Sequence, residues 1–342
     1  MPVFGIDPGS YEAGGVTAAR SGGHTTPSRT AVASGLPQLM WPGRRVETAF
    51  VLGGGGNRGA VQVGMLRALV ERRVVPDLVV GTSIGAVNAA AFAGSPTIEG
   101  VYLAADVWRR IAAEEVFPRS RFHGTWRFVE RREAVYPIDG LRKVVEGFLR
   151  FELLEESPVP IVVVAARLDD GAEEWFVEGP ALESVLASAA LPGLYPAVEI
   201  GGTHYFDGGV LNNVALSAAL AAGARRVFVM LCGPVEVRIP TFNRPYEAML
   251  AAFSLALRGR LKRDLSLVGP DVDVVVIEEP AVGGIDPDDF SRTEELIDSG
   301  YQSARDVLDT YLGSTSVRPA SGARLVGWAD RARRSLPSQR PS

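Results

Sequence analysis

The sequence predicts an α/β fold built on a largely parallel sheet. Two observations carry that reading. Short apolar runs of strand length alternate with stretches of helical period, and two of the strand-to-helix junctions are rich in glycine. No internal repeat is found, and the 46% hydrophobic content over 342 residues supplies one large core.

Taken in order, residues 1–46 are rich in Gly, Ser, Thr, Ala and Pro without helical or strand period, and are expected to form a disordered leader. The fragment from Gly5 to Ser10 has the composition of a phosphate loop, but no helical pattern follows it. Thr48–Leu52 reads as a buried strand, followed by a glycine-rich turn and a helix over Ala60–Glu71. Leu78–Val80 is a second strand, and Ala86–Ala93 continues as a helix. Ile161–Ala165, Val227–Leu231 and Val272–Ile277 are further strands, with helices over Leu141–Leu149, Leu182–Ala190 and Thr293–Leu312. Residues 313–342 are polar and Arg-rich and are expected to form a disordered tail.

Composition narrows the functional classes. Nothing in a net charge of −5 favours nucleic acid, which asks for a basic face, while so mild an acidity is compatible with a local basic patch for a membrane surface. The single cysteine, Cys232, rules out an internal disulfide and a cysteine-based metal site, and it reads as a small buried hydrophobe. The first residues lack a basic stretch followed by an apolar one, and no run of 18 residues is apolar enough to span a bilayer. A cytoplasmic protein without signal peptide or transmembrane segment is expected.

The turn Gly53-Gly54-Gly55-Gly56-Asn57-Arg58-Gly59 lies between a strand and a helix. Its backbone N–H groups, with a helix N-terminus behind them, make an anion site, either for a phosphate or for an oxyanion that exists only during a reaction. Gly54, Gly56 and Gly59 match the dinucleotide fingerprint, so a non-enzymatic or dinucleotide-binding protein is the rival reading. That reading wants an acid at the end of the second strand to hold the ribose. Asp77 stands at the strand's beginning instead, and the strand ends on Gly81-Thr82-Ser83.

Gly81-Thr82-Ser83-Ile84-Gly85 is a G-x-S-x-G at a strand-to-helix junction, which presents a serine hydroxyl at the apex of a sharp turn. The N–H of Ile84 and the helix dipole face any oxyanion formed there. Consecutive parallel strands are often neighbours, which sets Ser83 beside the glycine-rich turn. A serine needs a base, and the chain has three histidines. His24 falls in the leader, His123 in a polar Arg-rich stretch, and His204 in the strand-like run ending at Asp207. On a strand, His204 and Phe206 share one face while Tyr205 and Asp207 share the other, so His204 is the weaker candidate. Asp207, followed by Gly208 and Gly209, is the stronger one, against the ordinary alternative of a turn aspartate bonding its own backbone. Partial burial would raise its pKa from about 3.9 and make it a better base.

The ordered set Gly54–Gly59, Gly81–Gly85 and Asp207–Gly209, with Ala187–Gly193, Tyr195–Val198 and Asn212-Asn213 between and after, resembles the patatin-like phospholipase family. The resemblance covers roughly Thr48 to Ala224. Ala215 stands where relatives often carry proline. The resemblance implies a three-layer α/β/α fold, with residues 47–224 as the catalytic domain and 225–312 completing the same fold. It also implies hydrolysis of lipid or phospholipid esters with no metal and no cofactor. Ser83 would be the nucleophile and Asp207 the general base. The oxyanion loop would comprise Gly54, Gly55, Gly56, Arg58 and Ile84, with Gly59, Gly81, Gly85, Gly208 and Gly209 as motif glycines; Arg58 would orient the loop or add positive potential, against the ordinary alternatives of a surface arginine or a structural clamp.

A lipid substrate implies peripheral contact with a membrane surface and asks for no obligate protein partner. Tyr246–Leu265 carries Met249, Leu250, Phe253, Leu257 and Leu261 at helical spacing with Arg258, Arg260, Lys262 and Arg263, which reads either as an interfacial helix or lid, or as a helix packed on the core. Phe117–Arg132 mixes Phe122, Trp126 and Phe128 with arginines and is a second candidate surface.

Overall fold

A computed structural model describes residues 45–111, 116, 134, 136–233, 257, 259–279 and 289–313, together with the backbone of 324–327. The strands are β1 (Thr48–Leu52), β2 (Leu78–Thr82), β3 (Ile161–Arg167), β4 (Glu173–Phe176), β5 (Val198–Ile200), β6 (Thr203–Asp207), β7 (Arg226–Leu231), β8 (Asp273–Glu278) and β9 (Arg324–Gly327). The helices are α1 (Ala60–Glu71), α2 (Ile84–Gly94), α3 (Ile98–Arg110), α4 (Asp139–Phe148), α5 (Ala181–Ala189), α6 (Gly209–Asn212), α7 (Leu216–Ala221) and α8 (Thr293–Gly313).

The strands join one sheet in the order β5-β6-β3-β2-β1-β7-β8-β9, with β4 also paired to β3. The pairs β1–β2, β1–β7, β2–β3, β7–β8 and β8–β9 are parallel; those of β3 with β4 and β6, and of β5 with β6, are antiparallel. The parallel strands β1, β2, β3, β7 and β8 are buried on both faces, which is why they read in the sequence as continuous apolar runs rather than alternating ones. Phe50, Val79, Val163, Phe228 and Val275 pack with α1, α2, α3, α4, α5 and α8 on one side. Ala49, Leu78, Val162, Val227 and Val274 pack on the other with α7 and with Leu261 and Leu265. The result is three layers, helix on sheet on helix.

β3 acts as a ruler for the site. Val164 pairs with Thr82 of β2 and Trp175 of β4, while the next residue, Ala165, pairs with Asp207 of β6 and Glu174 of β4. β4 runs along one edge of β3 past both residues, so β2 and β6 share the other edge, and β6 arrives where β2 ends.

Two expectations change. Arg324–Gly327, inside the stretch expected to be disordered tail, forms β9 and pairs in parallel with β8 from Asp273 to Val276. Without it the outer edge of β8 would leave a row of backbone groups unpaired, and its four residues cover that edge from Asp273 to Val276. At the other end of the chain, Val46 is buried at the edge of the expected leader. The described part of the 246–265 stripe packs inward: Leu261 and Leu265 are buried in the core of the second face. The remainder of that stripe, the Phe117–Arg132 stretch, His24 and His123 lie outside the described residues.

Candidate active site

Two loops meet at the carboxyl ends of neighbouring parallel strands, where Leu52 of β1 pairs with Gly81 of β2. The β2–α2 junction is the sharper. Ser83 has φ 57° and ψ −131°, a left-handed conformation that β-branched and bulky residues avoid and that a serine tolerates only when its surroundings enforce it. Gly85 is part of that enforcement, since a Cβ there would collide with the carbonyl of Leu52. The absent side chain lets the start of α2 lie directly on the end of β1.

The hydroxyl of Ser83 donates to Asp207 Oδ2 at 2.6 Å. Asp207 is 2% exposed. Its other oxygen, Oδ1, accepts the N–H of Gly209 at 2.7 Å, and its own N–H donates to Ala190 O. Burial pushes the Asp207 carboxyl up to about 6, against the opposing pull of the Ser83 hydroxyl and the Gly209 N–H. A carboxylate so placed is a stronger base than a free one and is still ionised at neutral pH. His204 is exposed on the opposite face of β6, 3.9 Å from Glu199 on β5.

The glycine-rich loop runs from Gly53 into a 3₁₀ turn over Gly56–Gly59 and then α1. Gly54 packs so tightly on the elbow that a Cβ on it would stand 2.9 Å from the Ser83 Cβ. Its N–H, expected to serve as an oxyanion donor, instead donates to Asn213 O at 3.1 Å, so Gly54 shapes the loop without offering a free donor. Among the described residues no acceptor takes the N–H of Gly55, Gly56 or Ile84. Arg58 takes the structural-clamp alternative rather than that of a loop cation. Its Nε donates to Glu279 Oε2 at 2.9 Å and to Cys232 O at 3.1 Å, while its Nη2 grips Glu279 Oε1. The Glu279 side chain is fully buried, so the guanidinium is held by a bidentate ion pair and clamps the loop to the end of β8. Gly59 lies against Ile84, Gly81 against Ala86 and Gly208 against Val164, all close backbone or side-chain approaches.

Several supporting residues were assigned no role from the sequence. Ser188 Oγ, in α5, accepts the N–H of Ser83 at 2.9 Å and donates to Val164 O at 2.6 Å, tying the Ser83 backbone to β3. A buried chain of side chains fixes the glycine-rich loop from below. Trp108 Nε1 donates to Asn88 Oδ1, Asn88 Nδ2 to Gln62 Oε1 and Gly59 O, and Gln62 Nε2 to Gly53 O and Met230 O. Gln62 and Asn88 interrupt otherwise apolar helix faces, and such isolated polar residues are the sequence signal for a satisfied buried network. Asp77, which the dinucleotide reading would need at the far end of β2, accepts the N–H groups of Glu47 and Thr48 instead.

Fold and site thus define an α/β protein carrying a serine–aspartate pair at a strand-to-helix elbow beside a glycine-rich loop. Residues 50–220, half of the chain, match the family model described as Patatin-like phospholipase, and the chain belongs to that family. Patatin-like phospholipase domain-containing protein 7 of Mus musculus is 26% identical over 296 residues, covering 78% of this chain and 21% of that one. Lysophospholipase NTE1 of Mycosarcoma maydis is 29% identical over 197 residues, covering 56% of this chain and 10% of that one. An NTE family protein of Mycobacterium bovis is 30% identical over 290 residues, covering 76% of this chain and 46% of that one. The chain therefore spans less than half the length of each of these relatives. Among the described residues no helix is long and apolar enough to cross a membrane.

Proposed function

We propose that this protein hydrolyses carboxylic ester bonds of lipids, phospholipids or lysophospholipids by acyl transfer through Ser83, with Asp207 as base. The observation that carries this reading is the 2.6 Å hydrogen bond from the strained Ser83 hydroxyl to a buried carboxylate whose second oxygen is already occupied. Membership of the patatin-like phospholipase family and the lysophospholipase name of one relative support lipid esters as the substrate class.

In the proposed cycle Asp207 accepts the Ser83 proton as Oγ bonds to the ester carbonyl carbon. The carbonyl oxygen becomes an oxyanion and takes hydrogen bonds from the N–H groups of Gly55, Gly56 and Ile84, donors fixed in place before the reaction. Collapse of the tetrahedral species expels the alcohol, which takes its proton from Asp207. Water then attacks the acyl-serine, gives a proton to Asp207, and the carboxylic acid leaves as Ser83 recovers its hydrogen.

Intact mass after incubation with an alkyl fluorophosphonate, on wild type and Ser83→Ala, tests this. One phosphonyl adduct on the wild type and none on the variant is expected. A folded wild type that takes no adduct, with or without lipid micelles, would refute the reading.

A further inference from the structure

We infer that Asn213 is the positioning residue that aims the oxyanion loop: it grips both polar groups of Gly54 and so holds the Gly55 N–H toward the reacting carbonyl oxygen. The inference rests on the hydrolase reading above.

The geometry is a two-point clasp. The Gly54 N–H donates to Asn213 O at 3.1 Å, and Asn213 Nδ2 donates to Gly54 O at 3.3 Å. In a trans peptide the C=O and the following N–H point in opposite directions, and the described chain contains no cis bond. Fixing the Gly54 carbonyl toward Asn213 therefore directs the Gly55 N–H away from Asn213, where no described acceptor receives it. Four consecutive glycines, Gly53 to Gly56, give this loop unusual freedom to rotate its peptide planes. A flipped Gly54–Gly55 peptide would aim a carbonyl oxygen at the oxyanion instead of a donor.

The same side chain abuts the base turn. A Cβ on Gly54 would collide with Asn213 Oδ1, and a Cβ on Gly209 would stand 2.9 Å from it. Gly209 supplies the N–H that holds Asp207 Oδ1. Asn213 is thus wedged between the oxyanion loop and the turn that carries the base, and only glycine fits on either side of it.

Two variants test the assignment. Asn213→Asp is close to isosteric but replaces the Nδ2 donor with an oxygen that repels the Gly54 carbonyl. Asn213→Ala removes the side-chain grip and keeps the main-chain carbonyl; either variant is decisive if the other does not fold. Losing control of one oxyanion donor is expected to lower kcat about 100-fold or more, with KM within about twofold of wild type. The affinity for an alkyl trifluoromethyl ketone, which forms a hemiketal oxyanion on the serine, is expected to fall by the same factor as kcat in both variants, with the pH midpoint of activity unmoved in Asn213→Ala, which adds no charge beside Asp207. A kcat within about threefold of wild type would overturn the assignment, since a lost donor costs far more. So would a fall in kcat with analogue affinity intact, or a shifted pH midpoint in Asn213→Ala, which would make Asn213 a support of Asp207 alone. A wild type that forms neither hemiketal nor phosphonate adduct would instead overturn the hydrolase reading itself.

Discussion

Thr82 and Asp207 end two strands that run in opposite directions along the same edge of β3, against its consecutive residues Val164 and Ala165. This register brings the residue after Thr82 within a hydrogen bond of Asp207 although 124 positions separate them. A sheet holds such spacing more rigidly than a pair of loops, and four predictions follow from how the surrounding residues maintain it.

Activity should rise with pH through the titration of Asp207. In the proposed cycle Asp207 serves as base only when ionised, and burial pushes its carboxyl up to about 6. The kcat/KM for a soluble aryl ester is expected to climb tenfold per pH unit on the acid side and level off above that midpoint. A plateau extending down to pH ~4, the range of an unperturbed carboxylate, would show that the Asp207 ionisation does not limit the reaction.

The same burial makes Asp207 a cost to the fold. Its folded pKa exceeds the unfolded value, so the native state binds more protons between the two, and stability contributed by the protonated form is lost as pH rises from about 4 to about 6. Asp207→Asn removes the charge and can still accept from Gly209 while meeting the Ser83 oxygen with its amide. At pH 7 the variant is expected to be inactive yet more stable by up to about 3 kcal/mol in denaturant unfolding, with the gain vanishing near pH 4. A variant less stable than wild type at neutral pH would contradict this.

Ser188→Ala leaves the Ser83 N–H and the Val164 carbonyl without their hydroxyl partner in a fully buried position. Unfolding free energy should drop by about 1–3 kcal/mol. Because the lost bond anchors the strained residue, kcat should fall as well, whereas Ser188→Thr keeps the hydroxyl and is expected to retain more of both. Chemical denaturation paired with steady-state rates on the two variants decides it.

Breaking the clamp from one side should be worse than removing it. Arg58→Met strands the Glu279 carboxylate, which is fully buried, and is expected to cost about 3 kcal/mol or more. Adding Glu279→Leu should recover much of that loss, which a double-mutant cycle by thermal melting would measure. Equal destabilisation in the single and double variants would mean that the pair contributes by packing rather than charge.

Much of the Ser83–Asp207 arrangement was legible in the sequence because its turns are local. G-x-S-x-G announces its own turn, and Asp207-Gly208-Gly209 closes a strand whose alternation separates Asp207 from His204. The long parallel strands were equally plain as apolar runs. What stayed hidden depends on contacts across the fold. Arg58 reads as a loop cation until Glu279, 221 positions later, takes its guanidinium. Gly54 reads as a free donor until Asn213, 159 positions away, is folded beside it. Short strands such as β5 and β9 are too brief to show a period and form because a neighbouring edge needs covering.

The Arg58–Glu279 pair also bears on how this chain can be inherited or recombined. One partner lies within the family-matched segment 50–220 and the other well beyond it, on the far side of β7 and β8. The segment holding both Ser83 and Asp207 is therefore no portable cassette. Transplanted alone, it would leave behind the acid that braces its glycine loop and the strands β7, β8 and β9 of the sheet, so a gene fusion is expected to keep the proposed chemistry only if it carries residues through at least Glu279 as one block.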